Sequence, residues 1–392
     1  MNYKLLPILL LCACSREVEQ VSLGLNDYYY VQRMQKLWLQ TAVQADAYRW
    51  VMDTPQGDSL VSTADRHIFL AADEGEYHLR LELDIDGHTT THRFPVIVIH
   101  EQVEYSPYTA HVYEYRPAPG QYVNTMPPYE PGDNAEDMRR KAEEDLAGDA
   151  MITLGGYGGY VTFGFDHTVV NRPDSMDFHL KGNAFYSDLP EYADLHGGSA
   201  EPGIVMVSLD ANMNRLPDDP WYELAGSEYQ HPHTLHHYSM TYRRPAPDHE
   251  VVKRSGYSDY NYIPWRDSEG QEGYMHKNTA HTQDYYPLWV AEDSLCFTGT
   301  RLPPNGRDES GGRGTYYVLY ALPWGYADNH PNRYAQLNSF DIAWAVDDSG
   351  RPVQLPGADF IRVYTGVHQH CGQLGETSTE VLRATDLHLA QP

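Results

Sequence analysis

Short strand-like runs, separated by turn residues, recur along most of this chain. Apolar and polar residues alternate at residues 36–40 and 77–83, and shorter runs at residues 203–208, 315–320 and 360–364 are each flanked within a few residues by Gly, Pro or Asp. Side chains on a β-strand alternate between its two faces, so this period of two predicts strands. Few segments have a helical period, and no repeat of fixed length is present. The sequence therefore predicts an all-β fold of the sandwich or jelly-roll kind.

The length of 392 residues predicts more than one domain, because a single hydrophobic core usually stops growing below this size. We expect a first β-sandwich over residues 21–100 and a larger sandwich, of the jelly-roll type with long loops, over residues 151–392. Residues 101–150 between them are rich in proline, which breaks regular elements. This linker contains one helical segment, residues 133–146, with acidic side chains in its first turn.

The formal net charge of −27 excludes several classes of partner. Nucleic-acid binding requires a basic face, and an anionic membrane surface would repel so acidic a chain. Carboxylates are, by contrast, preferred ligands of calcium. The chain also contains 32 Tyr and 7 Trp against 9 Phe. Tyr and Trp combine apolar area with a hydrogen-bonding group, which suits half-exposed sheet faces and also ligand-binding surfaces.

Oxygen-bearing side chains at alternate positions of residues 210–219 predict a calcium-binding loop, because this spacing matches the first ligands of known calcium loops. The expected ligands are Asp210, Asn212, Asn214, Leu216 through its carbonyl, Asp218 and Asp219. Arg215 stands where an EF-hand has glycine, and the flanking segments have strand patterns. We therefore expect a structural site in a β-hairpin loop. The alternative is an Asx-rich turn that holds no ion.

Recognised catalytic motifs are missing from the sequence, which has no Gly-x-Ser-x-Gly, no His-Glu-x-x-His and no Walker loop. Paired glycosidase carboxylates have no fixed sequence spacing, and Glu376 is the one acid that we would test, with a structural role favoured. His368 and His370, beside Cys371, are interpreted as solvated residues rather than zinc ligands. The sequence predicts a binding protein and not an enzyme.

The first fourteen residues predict a signal segment. Lys4 precedes the apolar run of residues 5–11, which is too short to span a bilayer. The following Leu-Cys-Ala-Cys resembles the lipobox of bacterial lipoproteins, which implies cleavage before Cys14 and acylation of that residue. Residues 15–20 form a tether, and its glutamates resemble the export tag of Bacteroidota surface lipoproteins.

Two cysteines, Cys296 and Cys371, remain outside the signal segment. In an oxidising compartment they could form one disulfide, but the sequence does not establish that their side chains meet. A disulfide and two free thiols are both open.

Segments of both expected domains resemble bacterial surface proteins. In the first, Tyr48-Arg49-Trp50 and Glu74-Gly75-Glu76-Tyr77 resemble the buried Trp and the tyrosine corner of a PKD-like, immunoglobulin-type sandwich. The segments that recur, in this order, in a Bacteroidota "cell surface protein" family are residues 164–169, 181–185, 201–208, 221–223, 340–347, 360–365 and 375–380. The larger domain is also similar to discoidin-like and galactose-binding-like sandwiches.

The family resemblance implies a function that composition does not. Its members are often encoded in vitamin B12 uptake loci, beside TonB-dependent transporters and other surface lipoproteins. The resemblance implies a surface-exposed outer-membrane lipoprotein, held by its lipid anchor, that binds cobalamin or a related cobamide and passes it to such a transporter. The expected ligand-binding residues are Trp265, Tyr285, Tyr286, Trp289, Trp324, Tyr326, Asp328, Asn329 and His330, with His330 as the first candidate for a cobalt ligand.

Two other functions are alternatives to cobamide binding. Jelly rolls bind sugar rings on aromatic platforms, so the chain could be a carbohydrate-binding surface lipoprotein for glycan uptake. A second alternative is a structural adhesin or transporter subunit, in which the aromatic side chains form a protein interface.

Overall fold

The computed structural model describes residues 23–55 and 57–389. The expected signal segment, with Cys14, and the whole tether, residues 15–20, therefore lie outside the described residues. Among the described residues, no helix is long and apolar enough to cross a membrane. The described residues divide into two compact units: the first holds 23–30, 37–55, 57–68 and 76–97, and the second holds 31–36, 69–75 and 98–389.

The first part of the chain is built from antiparallel strands. Its strands are β1 (Tyr29–Gln32), β2 (Leu37–Gln40), β3 (Ala47–Thr54), β4 (Gly57–Ser62), β5 (Arg66–Phe69), β6 (Gly75–Ile85) and β7 (His88–Ile99). Five of them form a sheet in the order β1-β7-β6-β3-β4, and β2 pairs with β5. The alternating residues Leu79, Leu81 and Leu83 of β6 are buried. Trp50 on β3 is fully buried, and its indole N–H donates to the Ala64 carbonyl (3.0 Å).

The chain from residue 98 onwards contains more strands and two α-helices. They are β8 (His111–Arg116), α1 (Ala135–Ala147), β9 (Ile152–Thr153), β10 (Tyr160–Gly164), β11 (Val169–Val170), β12 (Phe178–Lys181), β13 (Phe185–Tyr186), α2 (Pro190–Ala193), β14 (Gly197–Ser199), β15 (Gly203–Ser208), β16 (Trp221–Leu224), β17 (Leu235–Arg243), β18 (Tyr257–Asp267), β19 (Glu272–Asn278), β20 (Ser294–Arg301), β21 (Gly306–Asp308), β22 (Tyr317–Tyr320), β23 (Ser339–Phe340), β24 (Ala345–Val346), β25 (Gly357–Ala358), β26 (Phe360–Thr365), β27 (Glu380–Val381) and β28 (Arg383–Asp386). Short 3-10 helices cover Ala335–Asn338, Ile342–Trp344 and Gly372–Leu374. The all-β prediction is confirmed.

A six-stranded antiparallel sheet, in the order β24-β16-β15-β26-β10-β8, forms the centre of the second unit. Val363 on β26 lies opposite Val161 on β10 and Val205 on β15, and all three side chains are buried. The same unit contains smaller sheets, with the orders β23-β12-β28, β13-β14-β22-β21, β19-β18-β17-β20, β11-β25 and β27-β9. β-branched side chains suit the two covered faces of such a strand.

Helix α1 packs against the same core and begins at Ala135, two residues after the expected start at 133. Asn134 caps it, accepting hydrogen bonds from two backbone N–H groups of the first turn, and Asp137 completes a capping box. Met138, Ala142 and Leu146 are spaced four residues apart and are fully buried. This spacing places them on one face of the helix.

The sheet β19-β18-β17-β20 covers a core that is unusually rich in tyrosine. The buried members are Tyr157, Tyr238, Tyr242, Tyr262, Tyr285 and Tyr286. A buried hydroxyl without a partner is destabilising, and these hydroxyls have partners. For example, the Tyr242 hydroxyl donates to the Tyr157 carbonyl (3.2 Å), and the Tyr286 hydroxyl donates to the Glu292 carbonyl (2.8 Å). Part of the tyrosine surplus is therefore structural.

Candidate functional site

An open cavity of about 330 Å³ lies beside the tyrosine core, and we call it the aromatic cavity. Its walls come from β17, β18, β19, the segment that follows β26 and the segment that precedes β27. The side chains that define it are Tyr157, Tyr242, Trp265, Tyr274, Met275, His276, His368, His370, Glu376 and Thr377. Its volume lies at the lower end of the range for small-molecule sites.

Trp265 is placed in the wall of this cavity by a glycine on the neighbouring strand. Trp265 on β18 lies opposite Gly273 on β19, and a Cβ atom on Gly273 would lie 2.7 Å from the Trp265 ring. Glycine at this position therefore makes room for the indole. The ring centroids of Trp265 and His368 are 4.6 Å apart in an edge-to-face arrangement. Tyr274, next to Gly273, is 45% exposed.

Three histidines, His276, His368 and His370, also line the cavity, and aromatic neighbours contact each of them. His276 stacks on Tyr260 with ring centroids 3.9 Å apart, and its own centroid lies 4.8 Å from that of His370. His370 Nε2 is 3.0 Å from the Tyr257 hydroxyl. Burial lowers the pKa of His368 and of His370 to about 4, and it also lowers the pKa of His276. These imidazoles are uncharged at neutral pH.

Glu376 lies in the walls of two cavities at once. Its Oε1 atom accepts a hydrogen bond from the Gln121 backbone N–H, whereas its Oε2 atom is buried without a hydrogen-bond partner. Burial raises the pKa of Glu376 to about 8. The carboxyl group is thus mostly protonated at neutral pH, and the aromatic cavity carries little net charge. No lysine or arginine is among the described residues that line it.

The second cavity, of about 390 Å³, shares Glu376 and Thr377 with the first, and we call it the acidic cavity. It is defined by Gln121, Tyr122, Asn183, Glu201, Cys371, Glu376, Thr377, Ser378 and Glu380, together with apolar side chains. Three of these residues are glutamates. The described lining residues include no lysine, arginine or histidine.

Glu201, Asp328 and Glu380 form a cluster at this cavity, which we call the carboxylate trio. One carboxylate oxygen from each lies within 4.8 Å of the other two. Asp328 Oδ1 accepts from the backbone N–H groups of Asn183 (2.6 Å) and Ala184 (2.8 Å), and its Oδ2 accepts from that of Glu380 (3.0 Å). These bonds fix the orientation of Asp328.

Hydroxyl and amide groups hold Glu380 in the trio. Its Oε1 accepts from the hydroxyls of Thr153 (2.9 Å) and Ser378, and its Oε2 accepts from the Asn183 side-chain amide (3.1 Å). Burial raises the pKa of Asp328 to about 7 and that of Glu380 to about 8, and repulsion from Asp328 adds to the shift of Glu380. Burial, with repulsion from its acidic neighbours, also raises the pKa of Glu201.

The loop predicted to bind calcium is held by hydrogen bonds among its own residues. The Asp210 carboxylate accepts from the backbone N–H groups of Asn214 (3.0 Å) and Arg215 (3.2 Å). The Asp218 carboxylate accepts from the side-chain amides of Asn212 (3.0 Å) and Asn214 (2.9 Å). The Asp219 carboxylate accepts from the Ala211 N–H (3.1 Å), and Leu216 donates its N–H to Asn214 Oδ1 (2.7 Å). Calcium binding by this loop stays a prediction.

The aromatic residues predicted to bind ligand do not meet in one place. Trp265 lines the aromatic cavity, but Tyr285 and Tyr286 are buried in the tyrosine core. Trp289 is partly buried and stacks with Tyr115 (ring centroids 6.1 Å apart).

The two remaining aromatic candidates also lie outside the lining of both cavities. Trp324 is 41% exposed and lies edge-to-face on Trp344. Tyr326 is buried, and its hydroxyl accepts from the Glu228 N–H (2.9 Å).

The polar residues 328–330 are buried as well. Asn329 exchanges two hydrogen bonds with the backbone of Leu322, at 2.7 and 2.8 Å. The two ring nitrogens of His330 lie 2.7 Å from the Tyr186 hydroxyl and 3.3 Å from the Pro323 carbonyl oxygen. His330 therefore presents no free nitrogen to a cobalt ion in this structure.

Both cysteines considered for a disulfide are free. Cys296 is exposed on β20, and Cys371 is buried. Burial raises the pKa of the Cys371 thiol to about 11, so this thiol stays protonated at neutral pH.

Several residues of the two cavities were not among the predicted site residues. His276 and Tyr274 belong to a strand that pairs with the strand of Trp265, and Glu201 and Glu380 are far apart in the chain. The sequence signals for this region are the His368-Gln369-His370 alternation and the two glutamates of residues 376–380. Neither identifies its partners, because the partners lie on other strands.

Comparisons with known proteins leave the family open. No protein-family model matches the chain, and no curated protein matches it by sequence. Among solved structures, it is similar to a SusE-like protein, with 9% identity, a TM-score of 0.30 and coverage of 91% of this chain and 95% of that one. It is also similar to a structure described under carbohydrate-binding modules of the β-sandwich superfamily, with 7% identity, a TM-score of 0.16 and coverage of 86% and 92%. Both TM-scores are too low for these similarities to carry an argument.

Proposed function

We propose that the chain is a binding protein that takes a neutral carbohydrate in the aromatic cavity. The observation that carries this proposal is the combination of Trp265 and the exposed Tyr274 with three uncharged imidazoles in one open cavity. Sugar rings have apolar C–H faces that pack on aromatic rings, and hydroxyls that exchange hydrogen bonds with neutral polar groups. A cavity with little net charge favours such a ligand over an anion or a cation.

Binding without turnover is favoured because the aromatic cavity offers a single carboxyl group. Glycoside hydrolysis generally uses two carboxyl groups on opposite sides of the scissile bond. Glu376 is the one Asp or Glu among the described residues that line this cavity. It could donate a hydrogen bond to a sugar hydroxyl, but no second carboxylate faces it across the cavity.

Cobamide binding, implied by the family resemblance, is the less favoured function. A corrinoid is several times larger than a sugar ring, and a cavity of about 330 Å³ would enclose only part of it. The expected cobalt ligand, His330, also has both ring nitrogens engaged. Cyanocobalamin therefore belongs in the binding assay as the competing ligand.

We also propose that the chain acts at the cell surface as an outer-membrane lipoprotein that hands its ligand to a neighbouring transporter. Support comes from residues 1–20 of the sequence, with the lipobox-like segment ending at Cys14. Radiolabelled palmitate incorporation, with Cys14→Ala as the unlabelled control, tests the anchor. Surface proteolysis of intact cells tests the exposure.

Affinity gel electrophoresis with a panel of polysaccharides tests the carbohydrate proposal. We expect at least one neutral polysaccharide to retard the purified chain. We expect Tyr274→Ala to weaken that binding by about tenfold, or ~1.4 kcal/mol. Tyr334→Ala is the matched control, because Tyr334 is similarly exposed (41%) and lies outside both cavities. If no polysaccharide retards the chain and cyanocobalamin binds saturably, cobamide binding becomes the favoured function and carbohydrate binding the less favoured one.

A further inference from the structure

We propose that the carboxylate trio of Glu201, Asp328 and Glu380 binds a divalent cation of the calcium type. This site is separate from the loop at residues 210–219 and independent of the proposed carbohydrate ligand. Among the described residues, it is the group in which three acidic side chains bring ligand atoms within 4.8 Å of one another. Two of its members, Asp328 and Glu380, are almost fully buried.

Uncompensated charge is the first argument for a cation. Carboxylates that approach so closely in a buried setting cannot all be ionised without a positive partner. The described lining of the acidic cavity supplies no basic side chain. The cluster must therefore either keep protons or hold a metal ion.

An unpaired oxygen in the same cavity is the second, independent argument. Glu376 Oε2 is buried in the wall and has no hydrogen-bond partner. A buried carboxylate oxygen without a partner is destabilising, so its presence points to a ligand. Glu376 acts electrostatically on Glu201 and Glu380, so a cation bound by the trio would also attract the Glu376 carboxyl group.

The donor chemistry indicates calcium rather than a transition metal. The trio offers carboxylate oxygens, and Thr153, Ser378 and Asn183 surround Glu380 with further oxygen-bearing side chains. Calcium prefers six to eight such hard ligands and tolerates irregular geometry.

Calcium titration of the chelator-treated chain tests this site, with the predicted loop disabled. We expect the double variant Asp210→Asn, Asp218→Asn to bind calcium still, in isothermal titration and as a raised Tm, and to lose both signals on addition of Glu201→Gln. Complete loss of calcium binding in the loop variant alone, while circular dichroism shows it folded, would overturn the proposal.

Single variants give a second route to the same answer. We expect Glu201→Gln and Glu380→Gln each to reduce the number of bound calcium ions by one or to weaken binding at least tenfold. Glu223→Gln is the matched control, because Glu223 is a partly buried acid outside the trio whose carboxylate accepts from the Thr300 hydroxyl (2.5 Å). If the number of bound calcium ions and the calcium affinity are unchanged in both trio variants, the trio does not bind the ion. Protons alone then neutralise its carboxylates, and the proposal is wrong. Carbohydrate retardation of the same proteins is measured separately, so failure of one proposal leaves the other standing.

Discussion

The aromatic cavity and the acidic cavity share Glu376 and Thr377 in their walls, but their chemistry is opposite. The first is lined by rings and by imidazoles that burial keeps neutral, whereas the second collects carboxyl groups with no base among its described lining residues. Burial acts on both, and in each it opposes charge. One segment, residues 367–380, therefore contributes uncharged imidazoles to the aromatic cavity and carboxyl groups to the acidic cavity.

Replacing the shared acid should have the largest effect on stability. The pKa of Glu376 is raised to about 8, so its stabilising contribution is full below the ordinary glutamate pKa and is lost as the pH rises towards 8. We expect Glu376→Gln to stabilise the chain by about 3 kcal/mol at pH 8, in the presence of chelator, and by little at pH 5. Urea unfolding at the two pH values measures this. An equal effect at both pH values would contradict the protonated form of Glu376.

Histidine in the aromatic cavity should produce the opposite pH dependence. The pKa of His368 is lowered to about 4, so its contribution is full above the ordinary histidine pKa and is lost as the pH falls from 6.5 towards 4. We expect His368→Gln to reduce the loss of unfolding free energy between pH 7 and pH 4.5 by about 2 kcal/mol. The control is His231→Gln, which changes a histidine outside both cavities. If the unfolding free energy of His368→Gln depends on pH in the same way as that of the unchanged chain, burial does not lower the pKa of His368.

Filling the space beside the Trp265 ring should affect ligand binding in the aromatic cavity but not calcium binding. A methyl group on Gly273 would lie 2.7 Å from the indole, so the ring must move. We expect Gly273→Ala to weaken carbohydrate binding by about tenfold, or ~1.4 kcal/mol, and to shift the tryptophan emission. Calcium binding should be unchanged, and its loss would mean that the two cavities are not independent.

The smallest expected effect provides a reference that is independent of pH. Asn134 caps α1 outside both cavities, and Asn134→Ala removes hydrogen bonds to two backbone N–H groups. We expect a loss of about 1 kcal/mol in unfolding free energy at pH 5, 7 and 8 alike. Thermal or urea unfolding checks this value. A strong pH dependence in this variant would show that the pH effects above do not come from the cavities.

Features encoded locally could be predicted from the sequence. The period of two predicted an all-β chain, and Asn134 with its acidic followers indicated the helix that forms over Ala135–Ala147. Trp265 was among the predicted binding residues, and the structure places it in the aromatic cavity. Each of these depends on neighbours within a few residues or on one side chain.

The composition of the two cavities could not be predicted in this way. Glu201 precedes β15, Asp328 follows β22 and Glu380 begins β27, and these strands belong to three different sheets. Tertiary packing therefore brings the trio together. His276 reaches His370 because β19 and the segment after β26 share a wall. Burial then changes the charge of these groups, and burial is a property of the packed core that single residues do not reveal. For the same reason, Tyr285 and Tyr326 have the residue type of a binding surface but are buried.

A crystal structure of the chain with its best-retained oligosaccharide tests the central claim most directly. We predict density for a sugar ring packed against Trp265 and Tyr274, with hydroxyls within hydrogen-bond distance of the histidines of the aromatic cavity. A sugar bound on another face, such as that of Trp324, with the aromatic cavity holding only water, would contradict the account.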